Sequence, residues 1–366
     1  MSDTTARRPS VRDDVALMAG YHSPQLDVAV RLNTNEAPGS PPEAFSEALV
    51  AAVRKIDWNR YPDRSAKDLR EAIASLEGFD AAQVFAANGS NEVLQSLCLA
   101  YGGSGRTALT FEPTYALHSH IARVCGTNVV EFDRDAGFRL DPAAAAAAVR
   151  EVRPHLVFLC SPNNPTGMLE DRETVEAVLT AAGEVGALLI VDEAYGQFAP
   201  WSALRLLDED LPLVVTRTYS KTWSMAGARL GYMIGPTWVV QALESVALPY
   251  HLDAVTQLAG VLALDHRDAM EQRVATLVEE RGRVSAALGR LDVDQWPSAA
   301  NFILFRPRGI DGRQVWAELV ERGVLVRDCS SWPRLDGCLR VTLGTRDEDD
   351  VFLTALGDVL AAGAPR

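Results

Sequence analysis

Through the middle of the chain, short apolar runs alternate with segments whose apolar residues recur at helical spacing. The apolar runs predict strands at QVFAAN, TALTFEPTY, NVVEFD, HLVFLCSPNNPTG, ALLIVDEAY, LPLVVTRTYSK and RLGYMIG. The segments between them predict helices at GSNEVLQSLCLAYG, LHSHIARVCG, DPAAAAAAVREV and DRETVEAVLTAAGEVG. Because most of these strands are apolar on both faces, the pattern predicts a mostly parallel sheet that helices cover on both sides.

Local end signals fix several of the predicted helices. The segment PPEAFSEALVAAVRKI has proline near its start and helical spacing after it. In SAKDLREAIASLEG, Ser65 is the predicted N-cap and Gly78 follows the predicted end. The alanine-rich helix has Asp141 as its predicted N-cap and Pro142 at its first position.

The pattern changes character after about Pro249, which predicts a second, α+β domain. Long charged helical segments, such as HRDAMEQRVATLVEERGRVSAALGRL, precede the short strands NFILFRP, GVLVRD and CLRVTLG and a closing helix. We predict an N-terminal arm at residues 1–30 and a large domain at 31–255. The small domain spans 256–366, and the first part of the large-domain segment is shared with it.

Composition and charge narrow the class of protein. The formal charge is −14, which argues against nucleic-acid binding, because phosphate backbones need clustered basic residues. The five cysteines are scattered, without the paired spacing of metal ligands, so we predict no metal site. The N-terminal MSDTTARRPSVRDD lacks the apolar core of a signal peptide, and no apolar run reaches the length of a membrane span. These features predict a cytoplasmic protein without a membrane partner.

Four polar motifs fall at predicted strand ends, where open α/β sheets bind their ligands. They are GSNE, SPNNPTG, VDEAY and TYSK. The last contains Lys221. The chain has only two other lysines, Lys55 and Lys67, and otherwise uses arginine. Each motif alone has an ordinary structural explanation, whereas all four at one sheet edge indicate a site.

The set matches what an aldehyde cofactor such as pyridoxal 5′-phosphate (PLP) requires. Such a cofactor needs a lysine for a Schiff base, and an acidic partner for its ring nitrogen. It also needs hydrogen-bond donors at its phenolic oxygen and an anion site for its phosphate. The residues that match these needs in turn are Lys221, then Asp192, then Asn164 with Tyr195, then Gly89, Ser90, Asn91, Ser220 and Arg229.

The chain resembles the fold-type I PLP-dependent aminotransferases over nearly its whole length, and within them the histidinol-phosphate aminotransferases. The resemblance rests on RLNTNEAP, RYPD, CSPNNPTG, VDEAY, SKTWSMAGARLG and GVLVRDCSSWPRLDGCLRVTLGT. It implies the α/β PLP-transferase fold, similar to aspartate aminotransferase. That fold has a large domain around a mostly parallel sheet and a smaller α+β domain.

The resemblance also implies a role for individual residues. Lys221 would bind the cofactor and act as the catalytic base, Asp192 would pair with the ring nitrogen, and Tyr115 would stack on the ring. Tyr195 and Asn164 would contact the phenolic oxygen. The cofactor phosphate would be held by Ser90, Asn91, Ser220, Arg229 and, more weakly, Thr218. Tyr61 would reach the cofactor of a neighbouring subunit, which requires a homodimer.

The implied reaction moves an amino group between histidinol phosphate and 2-oxoglutarate in histidine biosynthesis. Arg340 would bind the α-carboxylate of glutamate, and Tyr21 and Arg327 would bind the substrate phosphate with Arg340 shared. Asn35 would line the substrate site. Arg327 could instead be a solvated strand-end charge and Tyr21 a packing aromatic. Two other activities stay open: an aromatic amino acid aminotransferase, and a PLP-dependent decarboxylase of a phosphorylated amino acid such as threonine phosphate.

Overall fold

Two β-sheets organise the protein, which we describe from a computed structural model that covers residues 8–16 and 25–363. In these residues no helix has the length and apolar character needed to cross a membrane. The strands are β1 Val30–Leu32, β2 Val84–Ala87, β3 Thr107–Glu112, β4 Asn128–Asp133, β5 Leu156–Cys160, β6 Leu188–Asp192, β7 Leu213–Thr218, β8 Gly231–Ile234, β9 Val293–Gln295, β10 Phe302–Pro307, β11 Val324–Asp328 and β12 Leu339–Thr342.

The larger sheet has seven strands in the order β2-β8-β7-β6-β5-β3-β4. Strands β7, β6, β5, β3 and β4 run parallel, and β8 is antiparallel to both β2 and β7. The prediction of a mostly parallel sheet is therefore confirmed, and RLGYMIG is the strand that runs the other way.

The smaller sheet joins the two ends of the described chain. Its order is β1-β11-β12-β10-β9, and β1 pairs in parallel with β11 through Val30 and Val324. Strands β10, β11 and β12 pair antiparallel. The domain boundaries at residues 30 and 255 stay predictions.

Helices cover both faces of the larger sheet. The helices of the described chain, of which α10, α11 and α12 pack in the core of the smaller sheet, are α1 Asp13–Ala16, α2 Glu43–Val53, α3 Lys67–Glu77, α4 Ser90–Tyr101, α5 Leu117–Val124, α6 Pro142–Val152, α7 Arg172–Val185, α8 Thr237–Val246, α9 Ala254–Leu264, α10 Arg267–Leu288, α11 Gly312–Glu321 and α12 Arg346–Gly363. Alternate residues of each strand enter different cores, because successive side chains point to opposite faces. Val157 and Leu159 pack in the core with α6 and α7, whereas Phe158 packs in the core with α4 and α8.

The helix caps follow the sequence signals with one exception. Asp141 caps α6, accepting a hydrogen bond from the Ala144 amide at 2.8 Å, and Gly78 ends α3 with φ +81°. The prediction that Ser65 caps α3 is wrong. The carboxylate of Asp63 accepts the Lys67 amide at 2.7 Å, and the Ser65 hydroxyl itself donates to that carboxylate, which is the stronger acceptor.

Candidate active site

The site forms where three parallel strands of the larger sheet end side by side. In register, Cys160 at the end of β5 lies opposite Asp192 at the end of β6, and Asp192 lies opposite Thr216 of β7. The loops that carry Asn164 and Lys221 leave from these ends. The parallel register therefore gathers motifs that are far apart in the sequence.

A cavity of about 300 Å³ opens at this edge. The predicted site residues that line it are Asn35, Ser90, Asn91, Tyr115, Asn164, Asp192, Tyr195, Thr218, Ser220, Lys221, Arg229 and Arg340. Tyr61 and Arg327 do not line it, and Tyr21 lies outside the described residues. Thr34, Glu36, Cys160, Ala194 and Ala226 complete the lining.

Lys221 points its ammonium group into a site that disfavours positive charge. Burial, together with the charges of Arg340 and Arg229, lowers the pKa of Lys221 from 10.5 to about 7, although Glu36 opposes the shift. Its Nζ donates a hydrogen bond to the Thr34 carbonyl oxygen at 3.0 Å. The lowered pKa favours the neutral amine near neutral pH, and this is the form that attacks an aldehyde and accepts a proton.

Asp192 is held by a histidine that the sequence reasoning missed. Asp192 is 1% exposed, and one carboxylate oxygen lies 2.8 Å from His118 Nε2. The other accepts from the Ala194 amide at 3.0 Å. His118 sits on α5 with its ring stacked on Phe158. Its only sequence signal is a polar residue on the buried face of an amphipathic helix, which does not identify its partner.

An anion cradle lies at the start of α4. Gly89 has φ +78°, and a Cβ there would lie 2.6 Å from a guanidinium nitrogen of Arg229. Gly231 lets β8 approach α4 in the same way, since its Cβ would meet the Ser90 amide at 2.2 Å. Arg229 Nη1 donates to Ser220 Oγ at 3.4 Å. A cation, a hydroxyl and backbone N–H groups at a helix start suit a phosphate, so these residues fit the phosphate group of PLP.

Arg340 is a buried cation of β12 at the edge of the cavity. It is 4% exposed and donates to Asn164 Oδ1 at 2.5 Å and to the Asn33 carbonyl oxygen at 2.9 Å. Within residues 8–16 and 25–363 no carboxylate forms an ion pair with it, and its Nε has no hydrogen-bond partner. A buried guanidinium without a counter-charge is suited to an anionic substrate group.

Arg327 on β11 is the register partner of Arg340 on β12 and is 7% exposed. Its guanidinium lies 5.8 Å from the centroid of the Trp332 ring, a cation–π contact. Burial argues against a solvated strand-end charge. Its role as a phosphate ligand stays a prediction.

Tyr61 lies on the surface, away from the cavity of its own chain. It is 79% exposed and stacks on Tyr250 at 4.5 Å between ring centroids. Trp58 and Leu248 are also among the exposed large apolar side chains, at 71% and 75%. In the described part of the chain, no cluster of three or more acidic, histidine or cysteine side chains is arranged to hold a metal ion.

Comparison with known proteins gives one family. The family model "Aminotransferase class I and II" matches residues 27–356. A histidinol-phosphate aminotransferase of Frankia casuarinae is 45% identical, over 96% of this chain and 90% of its own length. That of Corynebacterium efficiens is 41% identical, over 98% of this chain and 99% of its own length.

Solved structures agree on the fold. The histidinol-phosphate aminotransferase of Sinorhizobium meliloti, solved with pyridoxal-5′-phosphate, superposes with a TM-score of 0.87 at 24% identity, covering 99% of this chain and all of that one. An aspartate aminotransferase variant from Thermus thermophilus gives 0.81 at 24% identity, covering 97% and 99%. The predicted aspartate aminotransferase-like fold is confirmed. The chain belongs to the class I and II aminotransferases and, within them, to the histidinol-phosphate aminotransferase family.

Proposed function

We propose that the protein transfers an amino group between histidinol phosphate and 2-oxoglutarate, with PLP as cofactor, in histidine biosynthesis. The observation that carries this proposal is Lys221, with its lowered pKa, in one cavity with Asp192, the anion cradle and the uncompensated Arg340. The 41–45% identity to histidinol-phosphate aminotransferases supports the choice of substrate.

The residues of the cavity would hold PLP by its charged and polar groups. Bound PLP supplies an aldehyde that bonds to amines and a protonated ring that withdraws electrons. Asp192 would keep the ring nitrogen protonated, and its contact with His118 would fix the carboxylate for that task. Ser90, Asn91, Ser220 and Arg229 would hold the phosphate, with Thr218 bonded to Ser220 at 3.0 Å. Tyr115 would stack on the ring, and Asn164 and Tyr195 would contact the phenolic oxygen.

Lys221 moves the proton on which the reaction depends. Its neutral Nζ would take the proton from the substrate carbon that bears the amino group, and the resulting ammonium would give that proton up again at the cofactor; the reverse half-reaction runs the other way. A pKa of about 7 suits both directions of transfer at neutral pH. Arginine at this position would stay charged and could do neither.

Arg340 would bind the substrate anion. The α-carboxylate of glutamate and the phosphate of histidinol phosphate each offer two oxygens to a guanidinium. Arg327 is the neighbouring cation for the phosphate, and Tyr21 and Asn35 complete the proposed substrate set. With no acidic side chain bound to Arg340 in the described chain, substrate need not displace an internal ion pair.

The exposed aromatic surface supports a homodimer. Exposed aromatic side chains mark surfaces that bind other proteins, and three of them here are Trp58, Tyr61 and Tyr250. A second copy of the chain would bury them. In that dimer Tyr61 would reach the cofactor phosphate of the other subunit. We place the enzyme in the cytoplasm, where the five free cysteines stay reduced.

Half-reaction kinetics of the PLP-loaded protein test the function. We expect histidinol phosphate to discharge the cofactor faster than histidine, phenylalanine or threonine phosphate, and 2-oxoglutarate to restore it. Release of CO₂ from threonine phosphate would refute amino transfer, and a preference for phenylalanine would refute the substrate. Lys221→Ala should lose turnover and the absorption of the lysine Schiff base together, so near wild-type turnover in this variant would also refute the assignment.

A further inference from the structure

The segment that leads into the cavity is tied down by its own backbone. Three successive carbonyl oxygens accept hydrogen bonds: that of Asn33 from Arg340, that of Thr34 from Lys221, and that of Asn35 from Asn301 Nδ2 at 3.2 Å. Asn35 is 1% exposed and has φ +55°, a left-handed conformation that asparagine tolerates better than most residues. The Asn35 backbone is therefore fixed in position, and this also fixes the direction in which its side chain extends.

The hydroxyl of Thr342 on β12 orients the Asn35 amide. The Asn35 backbone N–H donates to Thr342 Oγ1 at 2.9 Å, so that hydroxyl still needs an acceptor for its own proton. Asn35 Oδ1 lies 3.0 Å away, and Thr342 is only 3% exposed. A flipped amide would place Nδ2, which cannot accept a hydrogen bond, beside the Thr342 hydroxyl. The hydroxyl proton would then have no acceptor among its hydrogen bonds to the described residues. The orientation with Oδ1 toward Thr342 is therefore favoured.

The amide nitrogen of Asn35 is thereby turned to Tyr195. Nδ2 donates to Tyr195 Oη at 2.8 Å, the hydrogen bond that this hydroxyl makes in the part of the chain described here. Burial raises the pKa of Tyr195, so its phenol keeps its proton throughout the working pH range. A hydroxyl that accepts from Asn35 has its own proton left to donate elsewhere, and Tyr195 lines the cavity.

We propose that Asn35 is a positioning residue that sets the polarity of Tyr195. By donating to Oη, it directs the tyrosine proton into the cavity, toward an acceptor such as the phenolic oxygen of PLP. This inference rests on the proposed function, because it needs a bound acceptor. This task is additional to the proposed place of Asn35 in the lining of the substrate site.

Asn35→Asp tests the polarity with little change of shape. The carboxylate still accepts from Thr342, and aspartate tolerates the left-handed backbone, but it has no N–H for Tyr195. The Tyr195 hydroxyl then donates its proton to the new carboxylate. That proton is no longer available to an acceptor in the cavity. We expect the pH midpoint of the visible absorption of the PLP-loaded protein to move by about one unit, in the same direction as in Tyr195→Phe. The dissociation constant for PLP should rise about threefold to tenfold.

Two further variants separate polarity from other effects. Asn128→Asp adds the same carboxylate on exposed β4 and should leave the midpoint and PLP affinity unchanged. Thr342→Val releases the Asn35 amide without adding charge, and should move the midpoint in the same direction by a smaller amount. An unchanged midpoint in Thr342→Val would overturn the proposal. This test stands even if Asn35→Asp does not fold, because Thr342→Val is a separate protein.

The Tyr195→Phe background gives the decisive comparison. If Asn35 acts through the tyrosine hydroxyl, Asn35→Asp has no further effect on the midpoint once that hydroxyl is gone. A full shift in the Tyr195→Phe background would overturn the proposal, since the new charge would then act directly. If Tyr195→Phe itself leaves the midpoint unchanged, the proposed contact of Tyr195 with the cofactor fails, which is a different failure from that of Asn35.

Discussion

Lys221 should destabilise the ligand-free fold, and replacing it should show how strongly. The folded protein lowers the pKa of Lys221 from 10.5 to about 7, so it binds this proton more weakly than the unfolded chain does. The cost to stability is then largest below about pH 7 and vanishes above about pH 10.5. Lys221→Met keeps the length and apolar stem of the side chain and removes the charge.

The magnitude follows from the shift and from the exposure of the side chain. Each pKa unit corresponds to about 1.4 kcal/mol, which gives a ceiling of about 5 kcal/mol. Lys221 is only half-buried and donates to Thr34, so water and that hydrogen bond reduce the effect. We expect ligand-free Lys221→Met to be about 1–3 kcal/mol more stable than the wild type at pH 6.

Urea unfolding of the two ligand-free proteins at pH 6, 8 and 10 measures this. The stabilisation should shrink as pH rises and be nearly gone at pH 10. Lys55→Met, the same substitution at an exposed position, should change stability by no more than about 0.5 kcal/mol at each pH. A Lys221→Met protein that is less stable at pH 6, or whose gain does not depend on pH, would show that the charge of Lys221 does not destabilise the fold.

Three further predictions concern the cradle, the substrate end and the small sheet. Gly89→Ala should raise the dissociation constant for PLP at least tenfold in an absorbance titration, because its Cβ would displace Arg229 and its φ is +78°. Trp332→Ala should raise KM for histidinol phosphate about threefold to tenfold, more than KM for glutamate, because Arg327 loses its aromatic support. Trp332→Phe should recover most of this, and equal rises in both KM values would contradict the argument. Burial and the charge of Glu280 raise the pKa of Asp349 from 3.8 to about 7. The folded protein therefore favours the protonated acid, and its stability falls as the pH rises from about 4 to 7 and the carboxyl ionises. Asp349→Asn should therefore gain melting temperature relative to the wild type over that range, and parallel curves would contradict it.

The candidate cofactor residues could be predicted because each stands in a local motif. Each motif can be recognised separately: an acid at the end of one buried strand, a lysine after the next strand, and a glycine before a helix. The alternation of strands and helices then places them at one sheet edge. The cap of α3 is mispredicted because two nearby residues can each serve as the cap. Ser65 and Asp63 compete for the same amide, and only the folded geometry brings the Asp63 carboxylate to Lys67.

The contacts that tune the site could not be predicted in this way. His118 meets Asp192, which lies 74 residues away in the chain, and Asn35 meets Thr342 across 307 residues. Neither pair has a periodicity or spacing that links it. The stacking of Trp332 on Arg327 depends on the path of the loop after β11, which the sequence pattern leaves undefined.

The parallel layered fold and the type of chemistry could be predicted from the sequence, and Lys221 could be named as the candidate cofactor lysine, because apolar periodicity and strand-end motifs are local signals. Three other properties needed the folded chain: the lowered pKa of Lys221, the hydrogen bonds of the Asn35 amide, and the lack of a carboxylate partner for Arg340 among the described residues. Those properties depend on desolvation and on which groups from distant segments lie within hydrogen-bond distance. Both are set when the two ends of the chain meet in the smaller sheet and close over the edge of the larger one.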